Sequence, residues 1–279
     1  MIFLRHIDHT MENPSSKEHK IYRNQTEYTD YVAIEEPLEI TITQLSSKMA
    51  IRKKPVSITM RTPGSDYELA LGFLFSEGII KNITQIKQHR TEENKIDIVL
   101  KPESSLNLQK LDRHFYTTSS CGICGKSSIE ALKTHVPDYP VYSLEAHAEL
   151  LKQLPGKLRA QQATFNQTGG LHAAALFSTT GDFLIAFEDV GRHNAMDKLV
   201  GHYLKKLQLP LNKNILLLSG RTSFELVQKS VMAGVQIICA IGAPSSLAIQ
   251  LAEEHKCTLI GFLSSDRFNI YTGAKRIVF

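Results

Sequence analysis

The 279-residue sequence has little that would mark a membrane-spanning, secreted or nucleic-acid-bound protein. Its most apolar stretch, residues 235–243, falls far short of the ~18 residues a transmembrane helix needs. The opening MIFLRHIDHTMENPSS carries only four apolar side chains before charge intervenes, too few for the core of a signal peptide. A cytoplasmic location without membrane association is therefore expected. Cysteine is scarce, with four in all, so a disulfide framework is excluded and reduced thiols are expected. Cys239 and Cys257 sit in the apolar runs QIICAIG and CTLIGFL and read as small buried hydrophobes. Charge is nearly balanced, 32 Lys+Arg against 28 Asp+Glu for a net +4. That helps attract an anionic ligand but does not argue for nucleic acid. The sequence also has no internal repeat, no low-complexity tract, no GxxxxGK[ST] and no GxGxxG.

What is present suits a globular protein: 42% hydrophobic and 22% charged residues are enough for a sizeable core. The length suggests about two domains. Residues 1–30 are polar and aperiodic and read as a loosely held arm. Residues 31–110 form a small strand-rich α+β domain. EPLEITITQLSSKMAIRKKPVSITMRTPG alternates apolar and polar positions as antiparallel strands do, and 95–100 adds a short strand. Between them YELALGFLFSEG has helical spacing, with Ser65 or Asp66 as cap and Gly78 as terminator. Residues 111–279 read as an α/β domain. A hairpin over 171–187 and a helix over about 194–206 precede an alternation of NILLLSG, VQIICAIG and CTLIGFL with helices. That alternation argues for parallel β-α-β units, and the apolar strands fit a sheet buried on both faces.

Four segments carry chemistry-bearing side chains. In Cys121-Gly-Ile-Cys124 the pair is surrounded by Gly122 and Gly125 and followed by Lys126 at a helix start. Unpaired backbone N–H groups and a cation there favour the nucleophilic thiolate. Zinc ligation, a thioredoxin-like redox pair and a mobile sulfur-carrying loop all remain open, although a second Cys-x-x-Cys is missing. Gly169-Gly170 before His172 reads as a tight turn. Glu188, Asp189, Arg192, His193 and Asn194 surround one glycine. Asp189 or Asn194 can cap the following helix, but the density exceeds a cap and points to a polar site. Ser219-Gly-Arg-Thr-Ser223 and Ala243-Pro-Ser-Ser246 follow successive strands, so their helix starts share a sheet edge. There Arg221, Thr222 and Ser223 suit a phosphate, or else merely cap helices beside a surface Arg. His193 and Asp189, which also follow a strand, are expected to line the same cavity.

From about Glu36 onward the chain resembles the FdhD family of formate dehydrogenase accessory sulfurtransferases. The resemblance rests on RTPGSDYELALGFLFSEGII, SSCGICGK, TGGLHAAALF, EDVGRHNAMDKLVG, LSGRTSFELVQK, IGAPSSLAI and GFLSSDRFNIYTG. It implies a sulfur carrier that accepts persulfide sulfur from a cysteine desulfurase on Cys121, with Cys124 as its partner. The sulfur then passes to a molybdenum (or tungsten) bis-pterin guanine dinucleotide cofactor, molybdenum bis(molybdopterin guanine dinucleotide), destined for formate dehydrogenase. The cofactor contacts carry over to Phe262, Leu263, Ser264, Ser265, Asp266 and Arg267; the family commonly has Arg at the position of Ser264. The resemblance further implies a homodimer and a cytidine deaminase-like three-layer α/β/α fold for the larger domain. Deamination itself is not expected, because the H-x-E and P-C-x-x-C ligands are missing. The competing reading is a zinc- or redox-dependent Cys-x-x-Cys binding module without sulfur transfer.

Overall fold

The computed structural model describes residues 15–45, 51–102, 104, 136–137, 139 and 144–279. Cys121 and Cys124 lie outside the described residues, as does the helix start expected at Lys126. In chain order the strands and helices are β1 (Ser16–Arg23), β2 (Thr26–Ala33), β3 (Glu36–Leu45), β4 (Ile51–Arg61), α1 (Asp66–Ser76), β5 (Ile86–Glu92) and β6 (Lys95–Leu100). They continue with β7 (Ala146–His147), α2 (Ala148–Gln161), α3 (Ala163–Thr168), β8 (His172–Phe177), β9 (Phe183–Asp189), α4 (Arg192–Lys205) and β10 (Ile215–Leu218). The last are α5 (Phe224–Met232), β11 (Ile237–Ala240), α6 (Ser246–Glu254), β12 (Thr258–Gly261), β13 (Asn269–Thr272) and β14 (Ile277–Val278). The fold is thus mixed α and β. Among the described residues no helix is long and apolar enough to cross a membrane.

The larger sheet has the order β13-β12-β11-β10-β8-β9. Strands β10, β11 and β12 run parallel, as the strand–helix alternation predicts, while β8, β9 and β13 are antiparallel to their neighbours. Its parallel strands β10, β11 and β12 are buried on both faces. Leu216, Leu218, Ile238 and Ala240 face a core shared with α4, α5 and α6. Ile215, Leu217, Ile237 and Cys239 face Leu151, Leu154 and Leu158 of α2. This alternation is the period of two that a pleated strand imposes. Helix α2 escapes a propensity reading because Pro155 and Gly156 sit inside it. Its three leucines at helical spacing, buried against the sheet, hold it together.

The smaller sheet, β4-β3-β6-β5, buries Leu38, Ile40, Ile42, Ile96 and Ile98 in the same core as α1 and α4. Those two helices touch backbone to backbone. A Cβ on Gly72 would lie 1.9 Å from the Asp197 carbonyl oxygen, and one on Gly201 would lie 1.9 Å from that of Glu68. The expected side-chain cap on α1 is absent: Ser65 makes no cap bond, and Asp66 instead receives a bidentate pair from Arg61. Arg61 also reaches Glu36 and so ties the two ends of the β3–β4 hairpin together.

Residues 16–33 correct the expectation of a loose arm. They form a two-stranded antiparallel ribbon, β1–β2, turning at Asn24-Gln25 with both residues at positive φ. The sequence hides it because nearly every ribbon side chain is exposed, so neither strand shows an apolar face.

The helix crossing makes a paired prediction. Gly72→Ala forces two backbones apart and should cost about 3 kcal/mol, at the upper end of overpacking penalties. Gly156→Ala meets open space within α2 and should stabilise by about 0.5–1 kcal/mol. Urea unfolding midpoints of the two variants against wild type provide the check.

Candidate functional site

Strand direction gathers the motifs. Leu218 at the end of β10 pairs with Ala174 near the start of β8, and His172 pairs with Asp189 at the end of β9. Gly261 at the end of β12 pairs with Asn269 at the start of β13. The loops after β9, β10, β11 and β12 therefore share one edge of the larger sheet, the place where open α/β sheets bind ligands.

Backbone hydrogen bonds stitch three of these loops into a shelf. Gly242 N–H donates to Gly220 O at 3.2 Å, Thr222 N–H to Ala243 O at 3.0 Å and Ser245 N–H to Thr222 O at 3.0 Å. Phe262 N–H donates to Gly242 O at 3.2 Å. The loops lie so close that a Cβ on Gly242 would stand 2.7 Å from Arg221 N, so only glycine fits there.

On this shelf the sequence-predicted residues divide. Arg221 is exposed beside the buried Thr222, whose hydroxyl has no hydrogen-bond partner among the described residues. Ser223 starts α5, but its hydroxyl makes no cap bond and lies 3.3 Å from His193 Nε2 instead. His193 also stands 4.0 Å from Glu225. Burial, with Lys229 and Arg192 nearby, lowers the His193 pKa to about 4, so its ring is neutral at physiological pH. His172 is lowered for similar reasons, burial first and then Arg192. Ser245 does cap α6, accepting from Ala248 N–H at 3.2 Å.

Two strands away, at ~4.8 Å per strand or roughly 10 Å in all, the loop after β12 presents Phe262. The residue is 46% exposed on a backbone at φ +53, a left-handed conformation that costs a non-glycine residue about 1–3 kcal/mol. Ser265, Asp266 and Arg267 are exposed, and Ser264 closes their turn by accepting from Arg267 N–H. Leu263 is different: its side chain is buried in the core and its N–H is spent on Ala240 O. It supports the loop from beneath.

The acidic half of EDVGRHN is structural. Asp189 is fully buried and accepts from Lys198 at 2.7 Å, Gly191 N–H at 2.8 Å, Asn194 at 3.0 Å and Thr62 N–H at 3.2 Å. It does not line a cavity as expected. Asn194 is buried as well, bonded to Met60 O and Thr59. Glu188 takes the first N–H groups of α3. Gly169, at φ +68, ends that helix. Arg192 is the residue the motif pattern undervalued: its buried Nε has no hydrogen-bond partner among the described residues, and its charge acts on both histidines. Nothing local in the sequence signals the Phe262 conformation.

His193 carries a pH prediction. Its folded pKa lies below the ordinary value of 6.5. Between pH 6.5 and about 4 the unfolded chain therefore takes up a proton that the native chain refuses. Stability contributed by this group is present above that window and is lost as pH falls through it. NMR titration of the imidazole should give a midpoint near 4, and His193→Gln should flatten the stability–pH slope.

Comparison with known proteins places this geometry in a lineage. The FdhD/NarQ family model matches residues 33–278. Similar curated proteins include sulfur carrier protein FdhD of Streptomyces coelicolor, 46% identical with 89% of each chain covered. The protein of the same name from Saccharolobus solfataricus is 43% identical, covering 89% of this chain and 91% of its own. Among solved structures, a protein from Desulfotalea psychrophila described as a formate dehydrogenase accessory protein superposes with a TM-score of 0.71. It is 23% identical and covers 94% of this chain and 98% of its own. The chain belongs to the FdhD/NarQ family.

Proposed function

We propose that this chain is a sulfur carrier that takes persulfide sulfur onto Cys121 and delivers it to a molybdenum or tungsten bis-pterin guanine dinucleotide held on the shelf. The observation that carries the binding half is the convergence of Arg221, Thr222, Ser223 and Phe262–Arg267 on one sheet edge, with an exposed guanidinium and an exposed aromatic ring. Family membership and the names of the relatives support the sulfur half. The donor in this reading is a cysteine desulfurase and the recipient of the finished cofactor is formate dehydrogenase. The reading includes a cytidine deaminase-like origin for the six-stranded half, supported by its helices on both sheet faces.

Loading is thiol–persulfide exchange. The Cys121 thiolate attacks the terminal sulfur of the donor persulfide, one S–S bond forms as another breaks, and the donor thiolate leaves. For release, the Cys124 thiolate attacks the inner sulfur of Cys121 and expels hydrosulfide. The two electrons that reduce the sulfur come from the Cys pair, which is left as a disulfide. On the shelf, Arg221 supplies a charge-assisted donor to the diphosphate, and the Phe262 ring offers a stacking face to a planar heterocycle.

Two expectations test the two halves. Incubated with a desulfurase and cysteine, the wild type should gain sulfur by mass spectrometry, whereas Cys121→Ala should gain none and fail to activate formate dehydrogenase. Full activation by that variant, or tightly bound zinc on the Cys pair, would overturn the assignment. For the shelf, a GDP titration should find Arg221→Ala weakened roughly ten- to a hundredfold, the equivalent of about 1.5–3 kcal/mol. Phe262→Gly should also bind more weakly, yet be at least as stable as wild type because glycine relieves the left-handed backbone. Equal affinity for all three proteins would remove both residues from the site.

A further inference from the structure

The ribbon β1–β2 forms a sheet of its own, and among the described residues neither strand pairs with any other. It lies almost wholly before residue 33, outside the span that the family match covers. Its base is fixed: Ser16 Oγ donates to Gln167 of α3 at 2.8 Å, and Ala33 Cβ stands 3.6 Å from where a Cβ on Gly170 would be. Beyond that base, residues 17–31 are exposed, Ile21 alone being half-buried. A regular open edge of this kind is a template for another extended chain.

The hairpin register determines what the edge of β1 offers. Arg23 and Thr26 flank a two-residue turn, so they exchange backbone hydrogen bonds, as do Ile21 with Tyr28, His19 with Asp30 and Lys17 with Val32. The N–H and C=O groups of Glu18, Lys20 and Tyr22 therefore point away from β2. An extended polypeptide matches such a row of alternating donors and acceptors. Charge decides which polypeptide. Strand β1 carries Lys17, Lys20 and Arg23 against the single acid Glu18, whereas β2 carries Glu27 and Asp30 and no cation. On one face of β1 the charges are already engaged: Lys20 pairs with Glu27 and Glu18 accepts from Tyr31, both at 2.8 Å. The other face presents Lys17, His19, Ile21 and Arg23. There Lys17 has no ion-pair partner among the described residues, and Arg23 lies over the Tyr28 ring, 5.6 Å from its centroid.

We propose that the β1 edge binds an extended acidic segment of a partner protein, added to the ribbon as a third strand. The backbone of that segment pairs with Glu18, Lys20 and Tyr22. Its acidic side chains lie beside Lys17 and Arg23, with an apolar one beside Ile21. Opposite charges on facing residues stabilise a sheet and like charges destabilise it, so a strand as rich in cations as β1 itself is the poorer match. A nucleic acid has no row of backbone amides to offer and would meet Glu18, Glu27 and Asp30. A third strand also steadies the ribbon, since a lone two-stranded hairpin is marginal in water. The contact uses neither the Cys pair nor the shelf, so it anchors a partner without taking part in the chemistry.

Amide hydrogen exchange in the full chain tests it, with the blocked heptapeptide Glu-Thr-Val-Thr-Glu-Thr-Glu as probe. At millimolar peptide the amides of Glu18, Lys20 and Tyr22 should exchange more slowly, while the outward amides of β2 at Glu27, Thr29 and Tyr31 stay as they were. The same peptide with lysine in place of each glutamate should protect none of them. Two variants separate strand pairing from plain charge attraction. Glu18→Gln and Glu18→Pro both remove the acid from the edge, but only proline removes an outward N–H, at a position where the hairpin itself needs none. Glu18→Gln should bind the acidic peptide more tightly than wild type. Glu18→Pro should bind roughly threefold to tenfold more weakly than Glu18→Gln, as the loss of one hydrogen bond requires. The inward amides of Lys17, His19 and Ile21 show whether the ribbon stays folded in each variant, and the two peptides on wild type decide the matter without them. Absence of protection on β1, protection of β2 instead, or equal protection by the lysine peptide would overturn the proposal. So would equal binding by the two folded variants. Protection that rises with protein concentration in the absence of peptide would assign the edge to a second copy and overturn it too.

Discussion

The crossing of α1 and α4 is the contact on which the rest of the structure depends. These helices lie between the two sheets and meet without side chains at Gly72 and Gly201. Because the backbones touch, the apolar faces of both sheets come close enough to share one core. Buried charges then lock the joint. Lys229 of α5 binds Asp197 of α4 at 2.8 Å and stands 3.9 Å from Glu77, just past α1. Lys198 binds Asp189 and the Thr62 carbonyl, tying α4 to the ends of β9 and β4. A buried ion pair with one partner removed leaves an uncompensated charge, so these residues are bound to the geometry of the crossing.

That joint also prepares the candidate site. Lys198, Asp189 and Asn194 hold the first turn of α4, and that turn presents Arg192 and His193 to the sheet edge. The buried Lys229 helps to keep the His193 ring neutral. The division of labour within one motif is physical: its fully buried members are saturated with hydrogen bonds, while Arg192 keeps a buried nitrogen unpaired. A polar group buried without a partner is costly, and among the described residues Arg192 Nε and the Thr222 hydroxyl both carry that cost at this edge. The left-handed Phe262 adds a second local cost at the same edge.

Much of the fold is legible in the sequence because its signals are local. The alternation in β3 and β4, the apolar runs of β10 to β12 and the helical spacing of α1 are each set by neighbours a few residues away. So was the gathering of Arg221, Thr222 and Ser245 on one edge, since successive parallel strands end on the same side; the loop after β12 entered only through the family resemblance. The family resemblance was legible too, through its ordered motifs. The ribbon was not, because strands exposed on both faces need no apolar period. Helix α2 was obscured by Pro155 and Gly156, and its stability comes from three leucines packed on a sheet built elsewhere in the chain.

The sequence by itself determined which residue types were available for chemistry, in which order, and on which strands and helices. Tertiary structure alone decided their work. Asp189 and Thr62 are 127 residues apart, and Asn194 and Met60 are 134 apart. Only their meeting turns a dense acidic and amide motif into an anchor rather than a ligand pocket. Likewise nothing near Gly72 in sequence shows that a carbonyl from α4 will stand where its side chain would have been. Propensity and periodicity act over a few residues, whereas burial, pairing and close approach depend on what the folded chain brings from far away.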